Sequence, residues 1–315
     1  MFELRRLRLL HELALRGTLA AVAEALAYSP STISQQLAQL EKEAGVALLA
    51  PEGRRVRLTE HGRVLAAHAA RALDLDEQAR GELESLHPGL APVRVAVMQT
   101  AALAIVPRAL ALLGERAPHL RVELVEMPPE RGLFELTARG VDLVIAEQYP
   151  GHTRAHADGL ERETLGADPI RLAVGPRSAA GTRAASTDPV RSLDDLHERP
   201  WVMEPAGTAA RLWAVQQCRA AGFEPDVRYE LADLSAHARL VAAGLAVAVL
   251  PDLLWAGSRA PVSLRELPGR PAREIFTAQR TASQERAGIL EVRRALRDAF
   301  PVAGSDAAAP SLSRG

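Results

Sequence analysis

Residues 60–86 carry the pattern of one long helix, which divides the chain into two unequal parts. Thr59 supplies a capping hydroxyl and Glu60 an acidic first turn, and Pro88-Gly89 ends the pattern. A seven-residue seam, interrupted by Asp76, is formed by Leu65, Ala69, Ala72, Ala79, Leu83 and Leu86. One alternative is an amphipathic helix packed on its own domain. The flanking breakers favour a freestanding linker helix that pairs with a second copy.

The short part before this helix has the order of a winged helix-turn-helix. Residues 3–15 place leucines at three- and four-residue steps, Gly17 ends that helix, and Thr18 caps the next one. After Tyr28–Pro30, a third helix carries apolar residues on one face and stops at Gly45. A turn at 51–53 and an alternating strand at 54–58 complete a wing.

This arrangement predicts binding of double-stranded DNA, with the third helix in the major groove and the wing on the phosphates or in the minor groove. Glutamine can read adenine, and short hydroxyl side chains reach bases or phosphates. The expected DNA-binding residues are Thr18, Pro30, Ser31, Thr32, Ser34, Gln35, Gln36, Arg54, Arg55 and Arg57. The alternative is a merely solvated helix face. Bulk charge does not decide between them, because the net charge of the chain is -1.

Beyond residue 91 strands and helices alternate, which predicts a mostly parallel α/β sheet in two lobes. Val93–Val97 begins the first lobe, and the strand at 273–278 and the helix at 284–299 return to complete it. The predicted divisions are a head at 1–58, a linker helix at 59–88, an effector-binding domain at 91–300 and a disordered tail at 301–315. Within the effector-binding domain we expect lobe 1 at 91–166 and 268–300, and lobe 2 at 167–267.

Other function classes lack their signatures. The sequence has no Gly-x-Ser-x-Gly elbow, no P-loop, no Gly-x-Gly-x-x-Gly fingerprint and no His/Cys cluster for a metal, so we expect neither an enzyme nor a cofactor. Without a secretion signal or a membrane span, a cytoplasmic protein is expected, and an exported solute-binding protein would not carry residues 1–58. The single cysteine, Cys218, lies in a predicted helix and is expected to be a packed thiol rather than a redox sensor.

The order of these motifs closely resembles the LysR-type transcriptional regulators. The head carries GTLAAVAEALAYSPSTISQQLAQLEKEAGVALLAPEGRRVRLTEHG, and the later part carries RGVDLVIAEQ, WVMEPAGTAARLW and LVAAGLAVAVLP. The resemblance spans roughly residues 2–299. It implies a homodimer or homotetramer, a sensor domain like the periplasmic binding proteins, and a small-molecule effector in the cleft between the lobes. Promoter DNA is the expected partner, and RNA polymerase is a further one.

Two segments should form the effector site, because ligands of such sheets lie where strands end and helices begin. Thr100 would offer a hydroxyl and backbone N–H groups to an anion, and Glu204–Thr208 is the analogous segment of the second lobe. Plain helix capping is the alternative for Thr100 and Thr208. The resemblance adds positions near Pro128, Glu147 and Asp233. The full expected set is Gln99, Thr100, Ala101, Pro128, Glu147, Glu204, Gly207, Thr208 and Asp233.

Three of these positions are acidic. If Glu147, Glu204 and Asp233 face the cleft, they favour a ligand with a positive group, such as an amino acid or an amine. We expect the ligand to close or twist the lobes and to change the separation of the two DNA-binding heads through the 60–86 helices.

Overall fold

The computed structural model describes residues 1–53, 55–86, 91–152, 158–175 and 193–301. The head consists of three helices and a two-stranded wing: α1 Leu4–Arg16, α2 Leu19–Leu26, α3 Pro30–Ala44, β1 Leu49–Glu52 and β2 Arg55–Leu58. The wing strands are antiparallel, with Leu49 opposite Leu58 and Glu52 opposite Arg55. Because Pro51 and Glu52 pair with β2, the turn is shorter than the one predicted at 51–53.

One face of α3 builds the core of the head. Ile33, Leu37 and Leu40 follow each other at helical spacing and are fully buried, in one cluster with Leu10 of α1 and Val22 of α2. Deleting a side chain from such a cluster typically costs about 2–5 kcal/mol. The core fixes how α3 is rotated, so its polar face is turned toward solvent.

The linker helix is α4, Glu60–Leu86, with the bounds that the sequence predicted. The Thr59 hydroxyl accepts the Gly62 backbone N–H at 3.0 Å, which satisfies one of the free donors of the first turn. The predicted seam is divided between two environments. Its first half, Leu65, Ala69 and Ala72, packs into the core of the chain's own head, as the alternative of a helix docked on its own domain requires.

The second half of the seam and its neighbours point outward. Leu75, Leu83 and Leu86 are 66%, 67% and 75% exposed, and Val64 is 56% exposed. Exposed leucines at helical spacing on a long helix form an apolar stripe that a second protein surface can cover.

The sensor part follows in chain order. Its first half contains β3 Val93–Val97, α5 Gln99–Ala104, α6 Val106–Arg116, β4 Val122–Glu126, α7 Pro129–Thr137, β5 Leu143–Gln148 and β6 Leu160–Val174. Its second half contains β7 Pro200–Met203, α8 Ala209–Ala220, β8 Asp226–Glu230, α9 Leu234–Ala242, β9 Val247–Pro251, β10 Ser263–Glu266, β11 Ala272–Arg280 and α10 Ala287–Ala299. Short 3-10 turns lie at Asp194–Leu196, Asp252–Trp255 and Thr281–Ser283.

The described strands of this part form one continuous sheet in the order β4-β3-β5-β11-β6-β9-β7-β8, with β10 on β6. The outer strands of each half are parallel, but β11, β6 and β10 pair with antiparallel neighbours, so the sheet is mixed rather than mostly parallel. Leu160–Pro169 of β6 pairs with β11, and Ile170–Val174 pairs with β9. The long strand β6 therefore crosses from one lobe to the other.

Each lobe has helices on both faces of its part of the sheet. In the first lobe, Val95, Ile145 and Ile289 belong to the cluster beneath α5, α6 and α10. In the second lobe, Trp201 and Trp213 are buried on one face. The described elements give a two-lobed α/β sensor behind a winged head and a linker helix, which is the predicted fold class. None of the described helices has the length and apolar character that a membrane crossing needs.

Two further sequence predictions differ from the structure. The single helix expected at 101–116 is broken at Ile105 into α5 and α6, because Pro107 in the first turn of α6 has no N–H and restricts the residue before it. The first two thirds of β6 were not predicted as a strand. The tail expected to be disordered lies, apart from Pro301, outside the described residues.

Candidate DNA-binding face and effector cleft

The N-terminus of α3 presents a short polar surface to solvent. Ser29 caps the helix by accepting the Thr32 N–H at 3.1 Å, and its hydroxyl lies 2.8 Å from the hydroxyls of Ser31 and Thr32. Pro30 occupies the first helical position, where its missing N–H costs nothing. Pro30 and Ser31 are exposed and Thr32 is half-buried.

Ser34 and Gln35 continue the same exposed face, on the opposite side from the buried Ile33 and Leu37. Gln36 lies elsewhere. It is half-buried and its Oε1 accepts from the Arg6 Nε at 3.1 Å, so it braces α3 against α1. Gln36 is thus the predicted base reader least available to a duplex.

The supporting residues lie around this face. Thr18 caps α2 by accepting the Ala21 N–H at 3.1 Å, as the sequence predicted for this residue. Arg55 and Arg57 are exposed on β2, two residues apart and so on the same side of the wing. Arg54 lies outside the described residues.

Sequence reasoning did not single out Arg5 and Tyr28. The Arg5 guanidinium donates to the Tyr28 hydroxyl at 2.7 Å and also lies 5.1 Å from the centre of its ring. Tyr28 belongs to the turn before α3. The pair therefore adds an exposed cation beside the recognition helix, and only the aromatic residue in the turn could have drawn attention to it.

A cavity of 330 Å³ opens between the two lobes. Six predicted effector residues line it, namely Gln99, Thr100, Pro128, Glu147, Glu204 and Thr208. Ala101 lies within α5 and is fully buried, and Ala101, Gly207 and Asp233 are not among the lining residues. Further lining residues that the sequence did not single out are Glu126, Met127, Glu130, Leu234 and Arg273.

Arg273, the second residue of β11, organises the floor of this cavity. Its Nε and Nη2 donate to Asp168 at 2.9 and 2.8 Å, its Nη1 forms a short ion pair with Glu147, and its Nη2 donates to Thr100 at 2.7 Å. Burial alone would lower the pKa of Arg273, but Glu147 and Asp168 outweigh it, and the pKa is raised. The guanidinium is charged, and each of its nitrogens already has an acceptor.

The role of the Thr100 hydroxyl therefore differs from the predicted one. Thr100 lies in the first turn of α5 as predicted, but its oxygen accepts from Arg273 and the residue is only 2% exposed. Thr208 caps α8 by accepting the Arg211 N–H at 3.2 Å. Both threonines therefore perform structural tasks at the edge of the cavity.

Gln99 and Asp233 join the two lobes. The Gln99 amide donates to Asp233 at 2.7 Å and its Oε1 accepts the Leu234 N–H at 3.0 Å. Asp233 also caps α9 through the Ser235 N–H at 2.8 Å. The hydrogen bond from Gln99 and these backbone donors lower the pKa of Asp233. The aspartate is an interlobe tie.

Glu204 has the most unusual electrostatic environment among the lining carboxylates. Burial, followed by the negative charges of Glu147 and Glu130, raises its pKa to about 7, against a weaker opposing effect of Arg273. Within the described residues no cation forms an ion pair with its side chain. Arg211 donates only to its backbone carbonyl, at 3.2 Å.

Cys218 lies on the buried face of α8, in the core of the second lobe. Burial raises the pKa of its thiol to about 12, so at neutral pH it is protonated and a poor nucleophile. This environment agrees with a packed thiol.

Both parts of the chain match family models. Residues 4–63 match the bacterial regulatory helix-turn-helix protein, lysR family, and residues 90–301 match the LysR substrate binding domain. The chain is 29% identical over 255 residues to the transcriptional dual regulator GltC of Bacillus subtilis. The aligned region covers 81% of this chain and 82% of the relative.

A further relative is a probable hydrogen peroxide-inducible genes activator of Mycobacterium avium, 30% identical over 277 residues, covering 84% of this chain and 83% of the relative. Among solved structures, a full-length OxyR variant from Pseudomonas aeruginosa has the same fold, with a TM-score of 0.63 at 21% identity over 94% of this chain and 95% of that one. The chain therefore belongs to the LysR family of transcriptional regulators, with a helix-turn-helix head for promoter DNA and a domain for a small-molecule effector.

Proposed function

We propose that a small cationic molecule, an amine or an amino acid, binds in the interlobe cleft and controls how this regulator binds its promoter. The head would read the duplex with Ser31, Ser34 and Gln35 of α3 and contact phosphates through Arg55 and Arg57 of the wing. The chain would act as a homodimer or homotetramer joined through the exposed leucines of α4. Contact with RNA polymerase is a further element of this proposal.

One observation carries the assignment of a cation. In the described part of the chain, four carboxylates line the cavity, those of Glu126, Glu130, Glu147 and Glu204. The opposing guanidinium of Arg273 is already bound to Asp168, Glu147 and Thr100. A ligand whose only charged group is a carboxylate would displace one of these bonds and leave a buried charge without a partner, whereas an ammonium group adds a counterion.

Glu204 is the residue that would meet this cation. An ammonium group within hydrogen-bonding distance relieves the repulsion between Glu204 and its acidic neighbours. It also gives the Glu204 carboxylate a counterion, which no described cation provides. Binding between the lobes would also add to the interlobe contact that the Gln99–Asp233 hydrogen bond makes.

A response to peroxide, which the name of one relative indicates for that protein, has less support here. The chain has a single cysteine, and it is buried with a raised pKa. Peroxide-sensing cysteines are exposed thiolates.

A thermal-shift experiment on the full chain tests the ligand class. At a ligand concentration about a hundred times Kd, putrescine or lysine is expected to raise Tm by about 5–10 °C. Succinate and benzoate are expected not to raise it. Glu204→Gln should lose most of the shift. Glu224→Gln is the matched control, because Glu224 is an exposed lobe 2 carboxylate paired with Arg219. Stabilisation by the anions alone would reject the cation.

The DNA part is tested separately. The full chain should retard its own upstream promoter fragment at low ionic strength, with or without putrescine, and should do so as an oligomer. Failure to bind the fragment under both conditions would contradict the role given to α3, whatever the ligand.

A further inference from the structure

The linker helix α4 is docked against lobe 1 by a row of ion pairs. Its acidic residues Asp74, Glu77 and Glu84 lie on one face at helical spacing, and each meets an arginine of lobe 1. The pairs are Asp74 and Glu77 with Arg139, Glu77 with Arg280, and Glu84 with Arg286.

Glu77 and Arg280 form the buried centre of this row, at 8% and 6% exposure. The Arg280 Nε and Nη2 donate to the Glu77 carboxylate at 2.8 and 2.7 Å. Burial alone would raise the pKa of Glu77, but Arg280 and Arg139 reverse the effect, so its pKa is lowered and the carboxylate is charged. Removing either partner leaves a buried charge, so the pair holds the docked position of α4 strongly.

Two elements connect this pair to the effector cleft. Strand β11 carries Arg273 at its cleft end and Arg280 at its linker end, about 23 Å away for seven strand residues. Helix α7 carries Glu130, which lines the cavity, in its first turn, and Arg139, two residues after its end, forms ion pairs with Asp74 and Glu77 of the linker. The Arg280 Nη1 donates to the carbonyl oxygen of Leu136 in α7 at 2.8 Å, so one guanidinium joins both elements to Glu77.

The head also contacts α7. Arg16, the last residue of α1, donates to Glu135 at 2.8 and 3.1 Å and lies 5.3 Å from the centre of the Phe134 ring. A shift of α7 therefore changes contacts of the linker helix and of the head together, and β11 is joined to α7 through Arg280.

We propose that the Glu77–Arg280 pair is the coupling point through which the state of the cleft sets the position of the linker helix and hence the DNA affinity of the head. The ligand-dependent part rests on the proposed function, because it requires a cation bound at Glu204, beside the Arg273–Glu147 ion pair. The pair defines a two-state element, docked or released, that the ligand and the DNA can both bias.

The experiment measures Kd for the upstream promoter fragment by fluorescence anisotropy, using the full chain with and without putrescine. In the wild type, putrescine should change this Kd at least fivefold. In Glu77→Gln the ratio should fall to about one, while putrescine binding to the DNA-free chain persists. Asp76→Asn is the matched control, because Asp76 lies on the same helix turn and pairs with the exposed Arg80 of α4. The proposal is overturned if Glu77→Gln keeps the wild-type ratio.

Two arms keep the result decisive. If putrescine does not bind the wild type, the proposed ligand class fails, and the coupling point is then tested without ligand. In that case the promoter Kd of folded Glu77→Gln must differ at least fivefold from that of Asp76→Asn. If Glu77→Gln does not fold, Glu84→Gln replaces it, since Glu84 pairs with Arg286 at the less buried end of the same row. A variant that behaves like Asp76→Asn in its arm refutes the coupling.

Discussion

Raising the pH from 6 to 8 should strengthen binding of a permanently protonated amine, because Glu204 gains its charge across this range. Burial and the neighbouring Glu147 and Glu130 raise the pKa of Glu204 to about 7, and Arg273 only partly opposes them. An alkylamine such as putrescine keeps its charge throughout, since its ammonium groups titrate near pH 10, like the lysine side chain.

The expected size follows from the ionised fraction. With a pKa of about 7, roughly 0.09 of Glu204 is ionised at pH 6 and roughly 0.91 at pH 8. A ligand that binds only the ionised form should therefore gain about tenfold in affinity, or ~1.4 kcal/mol. At pH 6 its binding should release close to one proton, and above pH 8 the affinity should level off.

The same shift has the opposite sign for the ligand-free fold. Between the ordinary glutamate value of 4.5 and about 7, the folded chain holds a proton on Glu204 that the unfolded chain has lost. This carboxyl therefore contributes stability that declines as the pH rises through that window. A bound cation should offset the decline.

Isothermal titration of putrescine at pH 6, 7 and 8, in two buffers of different ionisation enthalpy, measures both the affinity and the proton release. Glu204→Gln should bind more weakly with a flat pH profile, and the control Glu224→Gln should keep the wild-type slope. Binding that is equally tight at the three pH values in the wild type, or that weakens as the pH rises, would refute the reasoning.

Three further predictions concern the head and the linker. Gln35→Ala should cost ~1–3 kcal/mol of binding free energy at the preferred site and relax the choice of base there, whereas Arg55→Ala should weaken binding to all sequences and reduce the salt slope by about one. Band-shift titrations on single-base variants of the site, at several salt concentrations, separate the two effects. An unchanged base preference in Gln35→Ala contradicts its role. Leu75→Glu should dissociate the oligomer, because this leucine is 66% exposed on α4, and sedimentation velocity checks it. Gly62→Ala should lower Tm, because a Cβ there would lie 2.1 Å from the carbonyl oxygen of Leu48; an unchanged melting curve would show that the wing gives way freely.

The helices of the head and linker were predictable because their signals are local. Thr59 and Glu60 at one end and Pro88-Gly89 at the other predict α4, and the structure gives this helix as Glu60–Leu86. The orientation of α4 was not predictable in the same way. Its seven-residue seam fits a partner helix and the chain's own head equally well, and the structure divides the seam between the head core and solvent.

The first two thirds of strand β6 were missed because their charges have distant partners. Glu161 and Glu163 make the segment look like a surface loop, but both form ion pairs with Arg293 of α10, at 3.1 and 3.0 Å. An alternating pattern is read from apolar residues, and here paired charges occupy the positions that would reveal it. Only the tertiary fold supplies the arginine that makes this segment an inner strand.

The cleft shows how a single distant residue changes the roles of its neighbours. Thr100 was expected to receive an anion and Glu147 to face the ligand, but Arg273, 173 and 126 residues further along the chain, binds both. A buried guanidinium must be surrounded by acceptors, so these groups are used to hold β11 in place before any ligand arrives. Glu204 forms no such ion pair with any described cation. The acidic character of the cleft was thus readable from the predicted positions of Glu147 and Glu204, but which of these carboxylates remains without a described cation depends on where Arg273 lies.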